Sequence, residues 1–138
     1  MKVIDIVFQG YWLEVDVSGV PAKSGVYCVY AGTYNSDSDT VSLRKLLYVG
    51  ESGDVNSRLA DHEKKAEWKK HLKTGETLCY SFGAVDEADR NRAEAAVINH
   101  HKPPCNVEYV HSFPFTMTRV KTSGRNYALS SDFTVYYS

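Results

Sequence analysis

The chain has 138 residues, of which 43% are hydrophobic, and its formal net charge is −1 at pH 7. This length predicts one domain with a sizeable core, and this hydrophobic fraction excludes intrinsic disorder. No run approaches the ~20 apolar residues of a membrane span, and the N-terminus lacks the apolar core of a signal peptide, so we expect a soluble, cytoplasmic protein. The near-neutral charge argues against indiscriminate binding to nucleic acid, because strong binders usually carry a basic excess.

The first half of the chain is typical of strands followed by a helix. Four short runs have strand-like composition: residues 3–8, 11–17, 25–31 and 45–51. The last two predict an antiparallel hairpin with a long polar loop, because nothing between them resembles a crossover helix. Asp54 is predicted to cap one helix from about residue 55 to 72.

The second half adds a strand, a helix and a less regular tail. Residues 77–85 predict a strand, and residues 88–101 predict a helix with Asp86 as its N-cap and Pro103 just beyond its end. The chain after residue 106 predicts a loop and one or two further strands. The fold class is therefore α+β: a small, mainly antiparallel sheet of at least three strands flanked by helices.

The three cysteines do not predict a disulfide or a zinc site. Cys28, Cys79 and Cys105 are odd in number, far apart and outside any C-x-x-C pair. Disulfide frameworks and zinc sites show closely patterned cysteines. We therefore expect all three to be small buried hydrophobic residues.

Polar side chains occupy positions that the hydrophobic pattern assigns to the interior. In the predicted first helix, Arg58 and His62 lie one turn apart on the apolar side. That side is defined by Val55, Leu59 and Ala66. Glu94 lies on or beside the apolar face of the second helix, and Tyr27 and Tyr48 lie in strongly buried strands. Because an unpaired buried charge is costly, these groups must contact one another, a metal or a ligand.

Such a cluster has the groups that phosphodiester chemistry requires. A guanidinium can offset the charge that builds on a phosphate, and a carboxylate can hold a divalent cation. A phenol or an imidazole can move a proton to or from an attacking water. Taken singly, each residue has a simpler explanation: for Glu94 an ion pair with Arg90 one turn earlier, and for His62 the role of an ordinary core or surface histidine. Only the joint pattern favours a site.

Four segments occur in a fixed order along the chain. They are S-G-V-Y at 24–27, L-Y-V-G at 47–50, R-L-A-D-H at 58–62 and E-A-A-V-I-N-H-H-K-P-P-C-N at 94–106. Together they resemble the GIY-YIG nuclease family, with one aliphatic exchange in each of the two tyrosine motifs. The resemblance covers about residues 21–107, and the longer connection between the tyrosine strands is similar to that of the family's restriction enzymes. We expect a single domain over 1–138, with a strand extension at 1–20 and a second extension at 108–138.

The resemblance implies six site residues: Tyr27, Tyr48, Arg58, His62, Glu94 and Asn106. Glu94 would bind a single Mg²⁺ or Mn²⁺, and Arg58 would neutralise charge on the phosphate. Tyr27 or Tyr48 would deprotonate the attacking water, and the residues do not decide between them.

The remaining two site residues would act around these groups. His62 would be a proton relay or a hydrogen-bond partner, and Asn106 would hold the shape of the pocket. Gly25 and Gly50 are interpreted as backbone requirements, needed where the chain or the substrate approaches closely.

Basic residues are distributed unevenly along the chain. Residues 58–73 hold six Lys or Arg against three Asp or Glu. The candidate contacts with a DNA backbone are Lys65, Lys69, Arg119 and Lys121. Segment 64–73 is also explained as a solvated helix face, and the tail as an extra hairpin with charged edges.

The resemblance therefore predicts a metal-dependent DNA endonuclease that hydrolyses phosphodiester bonds. The alternative is a nucleic-acid-binding module with an unused or decayed site, which the near-neutral charge favours. An enzyme active only in a larger assembly also stays open, and cutting both strands would require a homodimer. Repair, restriction, homing and phage defence are not distinguished by the sequence.

Overall fold

A computed structural model describes residues 1–138 and contains one six-stranded sheet with helices on both of its faces. The strands are β1 (Lys2–Leu13), β2 (Gly25–Asn35), β3 (Thr40–Ser52), β4 (Thr77–Ala84), β5 (Thr118–Gly124) and β6 (Asp132–Val135). The helices are α1 (Val55–Ala60), α2 (Lys65–Lys69) and α3 (Glu87–His101), and a 3-10 helix spans Glu14–Gly19. The strand order is β3-β2-β4-β1-β5-β6.

The sheet is mixed rather than purely antiparallel. Four of its five strand pairings are antiparallel, and β1 pairs with β5 in parallel. The predicted α+β class is confirmed, while the description of the sheet is confirmed in part. The predicted extensions supply β1, β5 and β6, and β1 lies inside the sheet between β4 and β5.

The N-terminal residues form one long strand instead of two short ones. Ile4, Ile6 and Phe8 alternate with exposed residues, so one face of β1 is buried. A bulge between Gly10 and Trp12 lets β1 continue to Leu13. The predicted second strand is wrong beyond that point, because residues 14–19 form the 3-10 helix.

The predicted hairpin is present, but its loop is short. β2 runs to Asn35 and β3 starts at Thr40, so only residues 36–39 turn. The Asn35 side chain accepts hydrogen bonds from the backbone N–H groups of Asp37 (3.0 Å) and Ser38 (3.3 Å). Such a local side-chain bond stabilises a tight turn, which explains why both strands extend beyond their apolar segments.

The predicted single helix over 55–72 is wrong, because the chain breaks it into α1 and α2. Asp54 caps α1 as predicted, since its carboxylate accepts the Ser57 N–H at 3.1 Å. Beyond α1 the His62 ring turns into the core and accepts the Lys64 N–H at 3.1 Å, a local bond that replaces a helical one. Ala66, expected inside, is exposed.

Two hydrophobic layers lie on opposite faces of the sheet. Val26, Cys28 and Tyr30 of β2 face the layer under α3, while Tyr27 and Val29 face the layer under α1 and α2. The three cysteines are free and buried, as expected. None of the helices combines the length and the apolar character that crossing a membrane requires.

Candidate active site

Tyr27 and His62 form a buried hydrogen-bonded pair. Tyr27 is 1% exposed, and its hydroxyl lies 3.0 Å from Nε2 of His62. The other ring nitrogen accepts the backbone N–H of Lys64, so we assign the ring proton to Nε2, which donates it to the phenol oxygen. Burial and the nearby charge of Arg58 lower the pKa of His62 to about 4, which keeps the ring neutral near pH 7.

Gly50 and Gly25 are required by close approaches in the strands, as predicted for both. Gly50 pairs with Tyr27 across the hairpin, and a Cβ there would collide with Cζ and Oη of that ring. A Cβ at Gly25 would collide with the carbonyl oxygen of Gly83. Any larger residue at position 50 would therefore move the phenol that His62 holds.

Tyr48 brings a second phenol to the same region, on edge strand β3. Its ring centre lies 6.3 Å from that of Tyr27 and 5.6 Å from that of His62. Unlike Tyr27, Tyr48 lines an open cleft of about 470 Å³. Burial and then Glu94 raise the pKa of Tyr48 to about 12, and Arg58 opposes that rise. Burial raises the pKa of Tyr27 further.

Asn106 holds the free edge of β3 beside Tyr48. Its side-chain oxygen accepts the Val49 N–H, and its side-chain N–H₂ donates to the Val49 carbonyl, both at 2.9 Å. The Cys105 N–H donates to the Leu47 carbonyl, also at 2.9 Å. These bonds on either side of Tyr48 fix the strand segment that carries its ring into the cleft.

Glu94 reaches the same cleft from α3. The simple explanation, an ion pair with Arg90, is absent, because Arg90 instead binds Glu51 and the hydroxyl of Ser24. Burial, followed by the charges of Glu51 and Glu108, raises the pKa of Glu94 to about 8. No protein cation pairs with this carboxylate.

The donor set around Glu94 fits a lightly held divalent cation. No group of three or more His, Cys, Asp or Glu side chains could form a full protein cage for a metal ion. Mg²⁺ is commonly held by one or two carboxylates together with waters and substrate phosphates. A half-buried, unpaired carboxylate facing an open cleft matches that mode of binding.

Arg58 lies close to both tyrosines, but its guanidinium is already engaged. It donates to the two carboxylate oxygens of Glu63 at 2.6 and 2.8 Å. Its positive charge opposes the rise that burial causes in the pKa values of Tyr27 and Tyr48, and it disfavours a charged His62. Arg58 does not lie on the inward-facing side of a helix, as the sequence predicted, because its side chain is 35% exposed at the end of α1.

The four predicted DNA contacts are not gathered at the cleft. Lys65 pairs with Glu14 at 2.7 Å, and Lys69 is exposed at the end of α2. Arg119 and Lys121 lie on β5, four strands from β3, which is about 19 Å at ~4.8 Å per strand. Arg119 is also paired with Asp132.

Sequence reasoning missed several side chains near the site. They are Glu51, Glu63, Lys64, Glu108 and Tyr109. Glu63 and Lys64 approach the site only because the chain bends after α1. Glu51, Glu108 and Tyr109 lie close in sequence to the tyrosine and asparagine motifs, and only this closeness could have indicated that they are near the site.

The geometry brings together, at the end of the sheet that carries the cleft, Tyr27, Tyr48, Arg58, His62, Glu94 and Asn106. The model of the GIY-YIG catalytic domain matches residues 25–108 of the chain. No curated protein and no solved structure matches it. The match covers more than half of the sequence and coincides with the elements that build the cleft. The protein therefore belongs to the GIY-YIG family, a family of endonucleases.

Proposed function

We propose that the protein is a metal-dependent DNA endonuclease that hydrolyses phosphodiester bonds. Family membership gives the class of reaction. The observation that carries the proposal for this chain is the Glu94 carboxylate, which has no cation partner and shares a cleft with Tyr48. A half-buried acid with a raised pKa beside a phenol is an arrangement that functional sites use and that stability alone disfavours.

Glu94 is proposed to anchor a single Mg²⁺ or Mn²⁺, as GIY-YIG nucleases generally use divalent ions. Such an ion supplies positive charge against the scissile phosphate and the leaving oxygen. Glu94 would hold such an ion in its ionised form, and the positive charge would offset the influence by which Glu94 disfavours ionisation of Tyr48.

Tyr48 is the better candidate for the base that accepts a proton from the attacking water. It lines the cleft, whereas Tyr27 is buried and has the higher pKa. In the assigned tautomer the Tyr27 oxygen accepts the His62 N–H, so we assign this pair to positioning the site. The pKa of about 12 implies that Tyr48 reacts as a minor phenolate population, which Arg58 increases.

Arg58 is proposed to stabilise the charge that develops on the phosphate in the transition state. Its guanidinium has the planar geometry that binds two phosphate oxygens, and a third of the side chain is open to solvent. A substrate phosphate would have to displace Glu63, which occupies the guanidinium now.

The test is a Glu94→Ala variant assayed for nicking of plasmid DNA with Mg²⁺ or Mn²⁺. We expect a folded protein that binds DNA and does not cut it, because the ion has lost its anchor. Glu87→Ala, an exposed change in the first turn of the same helix, is the matched control and should cut normally. Undiminished Mg²⁺-dependent cleavage by Glu94→Ala would refute the assigned site.

A binding module without catalysis is the second candidate, and two observations favour it. The net charge is −1, and Arg58 is neutralised by Glu63. Binding of duplex DNA without nicking under either metal would support this candidate. A cytoplasmic location, and a homodimer or larger assembly for cutting both strands, belong to the nuclease proposal and are tested by fractionation and by sedimentation with DNA.

A further inference from the structure

Lys64 brings a cation into the cleft at a position that the family motifs do not mark. It lies directly before α2, and its side chain lines the cleft together with Tyr48, Glu94 and Asn106. Its ammonium lies 5.9 Å from the centre of the Tyr48 ring. The side chain is half-buried, so the cleft walls limit where the charge can go.

The backbone of Lys64 is fixed independently of its side chain. Its N–H donates to Nδ1 of His62, the ring that also holds Tyr27. A change of side chain leaves this bond in place. The hydrogen bond from its backbone to His62 therefore fixes Lys64 relative to Tyr27, and a substitution at residue 64 keeps this bond.

Lys64 is the cation of the cleft that has no anionic partner. Neighbouring cations are neutralised in ion pairs: Arg58 with Glu63, Arg90 with Glu51 and Lys65 with Glu14. No ion pair or side-chain hydrogen bond engages the ammonium of Lys64, although Glu108 lines the same cleft. A half-buried ammonium without a counter-ion is suited to an anion from outside the protein.

We propose that Lys64 binds a backbone phosphate next to the one that is cut, which rests on the proposed nuclease function. Arg58 and the ion at Glu94 are assigned to the scissile phosphate, which leaves the free ammonium for a neighbouring one. Lysine binds phosphate as a point charge, so the contact is independent of sequence. Lys64 is thus a positioning residue for the strand.

The experiment measures binding of a labelled DNA duplex without divalent metal, between about 50 and 200 mM salt. For Lys64→Met we expect the slope of log K against log salt to lose about 0.9 and the affinity to fall about tenfold. Lys64→Arg should restore the slope. Lys73→Met, an exposed change in the loop before β4, is the matched control and should keep it. In cleavage assays Lys64→Met should raise KM and leave kcat within about twofold.

The outcomes separate this inference from the nuclease proposal. If the wild type cuts DNA and Lys64→Met keeps its slope and KM, the phosphate contact is refuted and the nuclease stands. A lower kcat with unchanged slope also refutes it, because the lysine would then act on the chemistry. A reduced slope in a protein that never cuts refutes the nuclease, and with it the placement of Lys64 beside a scissile phosphate, and leaves only a phosphate contact of a binding module. Unchanged thermal unfolding of Lys64→Met verifies that the variant is folded.

Discussion

The two halves of the sheet differ in how they are covered and in what their polar groups do. Strands β2, β3 and β4 have helices on both faces, so residues 25–32 of β2 are buried without interruption. Strands β1 and β5 are buried on the face toward α3, and on the other face Val3, Val7 and Lys121 are exposed. We call these the site half and the support half, the latter including β6.

Polar groups in the support half bind one another. Arg119 donates to both carboxylate oxygens of Asp132, and Arg92 of α3 donates to Thr116 and Thr118. In the site half some polar groups have no partner within the protein. The two buried side-chain atoms without a hydrogen-bond partner, Nε1 of Trp68 on α2 and Oγ of Ser81 on β4, lie in that half. The charged groups of the cleft that have no ion-pair partner, Glu94 and Lys64, also belong to this region, and such groups are typical of a functional site and not of a stable core.

The sharpest test of this comparison removes one arginine from each half. Arg58→Ala is expected to lower the cleavage rate by about 10² or more, because one stabiliser of transition-state charge is lost. Arg119→Ala, in the support half, is expected to change the rate less than about twofold, since an exposed ion pair contributes little. Single-turnover rates with saturating DNA provide the measurement.

An equal loss in both arginine variants would contradict the distinction between the two halves, because the support half would then take part in the reaction. A loss under about threefold for Arg58→Ala would count against its role at the phosphate. Each variant needs its unfolding curve measured, so that a lower rate is not a lower folded fraction.

How far the sequence predicts this molecule depends on whether the signal is local. The helix α3 begins after Asp86 and ends before Pro103, as predicted, although the Asp86 side chain makes no capping hydrogen bond. The β2–β3 hairpin follows from two apolar runs with a turn between them. The insertion of β1 between β4 and β5 has no local signal, because strand order depends on contacts between distant segments.

The candidate site could be predicted from the sequence in its residue types, whose roles stay a prediction, and not in its geometry. The motif spacing brings Tyr27 and Tyr48 together because they lie on paired strands. A periodic pattern cannot reveal that His62 leaves the helix, accepts a backbone N–H and turns toward Tyr27. The Arg58–Glu63 ion pair depends on the same bend, so the sequence could not predict that Glu63 occupies the guanidinium of Arg58.

A second test uses acid, and it compares one histidine from each half. The pKa values of His62 and His101 are both lowered to about 4, mainly by burial. In each case a backbone N–H donates to the ring, from Lys64 and from Ser130, so protonation breaks a hydrogen bond. Because the unfolded chain takes up these protons first, stability is full above about pH 6.5 and falls as the pH approaches 4.

We expect the free energy of unfolding to drop by on the order of 2 kcal/mol per histidine over that range. Urea unfolding of His62→Gln and His101→Gln at pH 7 and pH 4 measures how much of the drop in the free energy of unfolding each histidine causes. Equal shares would mean that acid sensitivity comes from burial and is not particular to the site half. A drop that survives both substitutions would assign the effect to other groups.

The smallest expected effect concerns the ion pair between Glu63 and Arg58. Arg58 lowers the pKa of Glu63 to about 2, so this carboxylate is ionised at any working pH and competes with phosphate. Glu63→Gln should therefore raise kcat/KM about threefold at low salt, since a solvent-exposed ion pair is only a weak competitor for the phosphate. Glu67→Gln, an exposed change on α2, is the matched control for the loss of one negative charge.

The salt dependence tells competition from general attraction in the Glu63→Gln variant. Salt screens the exposed Glu63–Arg58 pair, so the advantage of the variant should shrink as the salt concentration rises. An equal gain in Glu67→Gln would mean that any lost negative charge favours DNA binding. A fall in kcat/KM would mean the opposite of competition: Glu63 would then be holding the guanidinium of Arg58 where the phosphate needs it. The site half would in that case owe its activity to an ion pair of the kind that stabilises the support half.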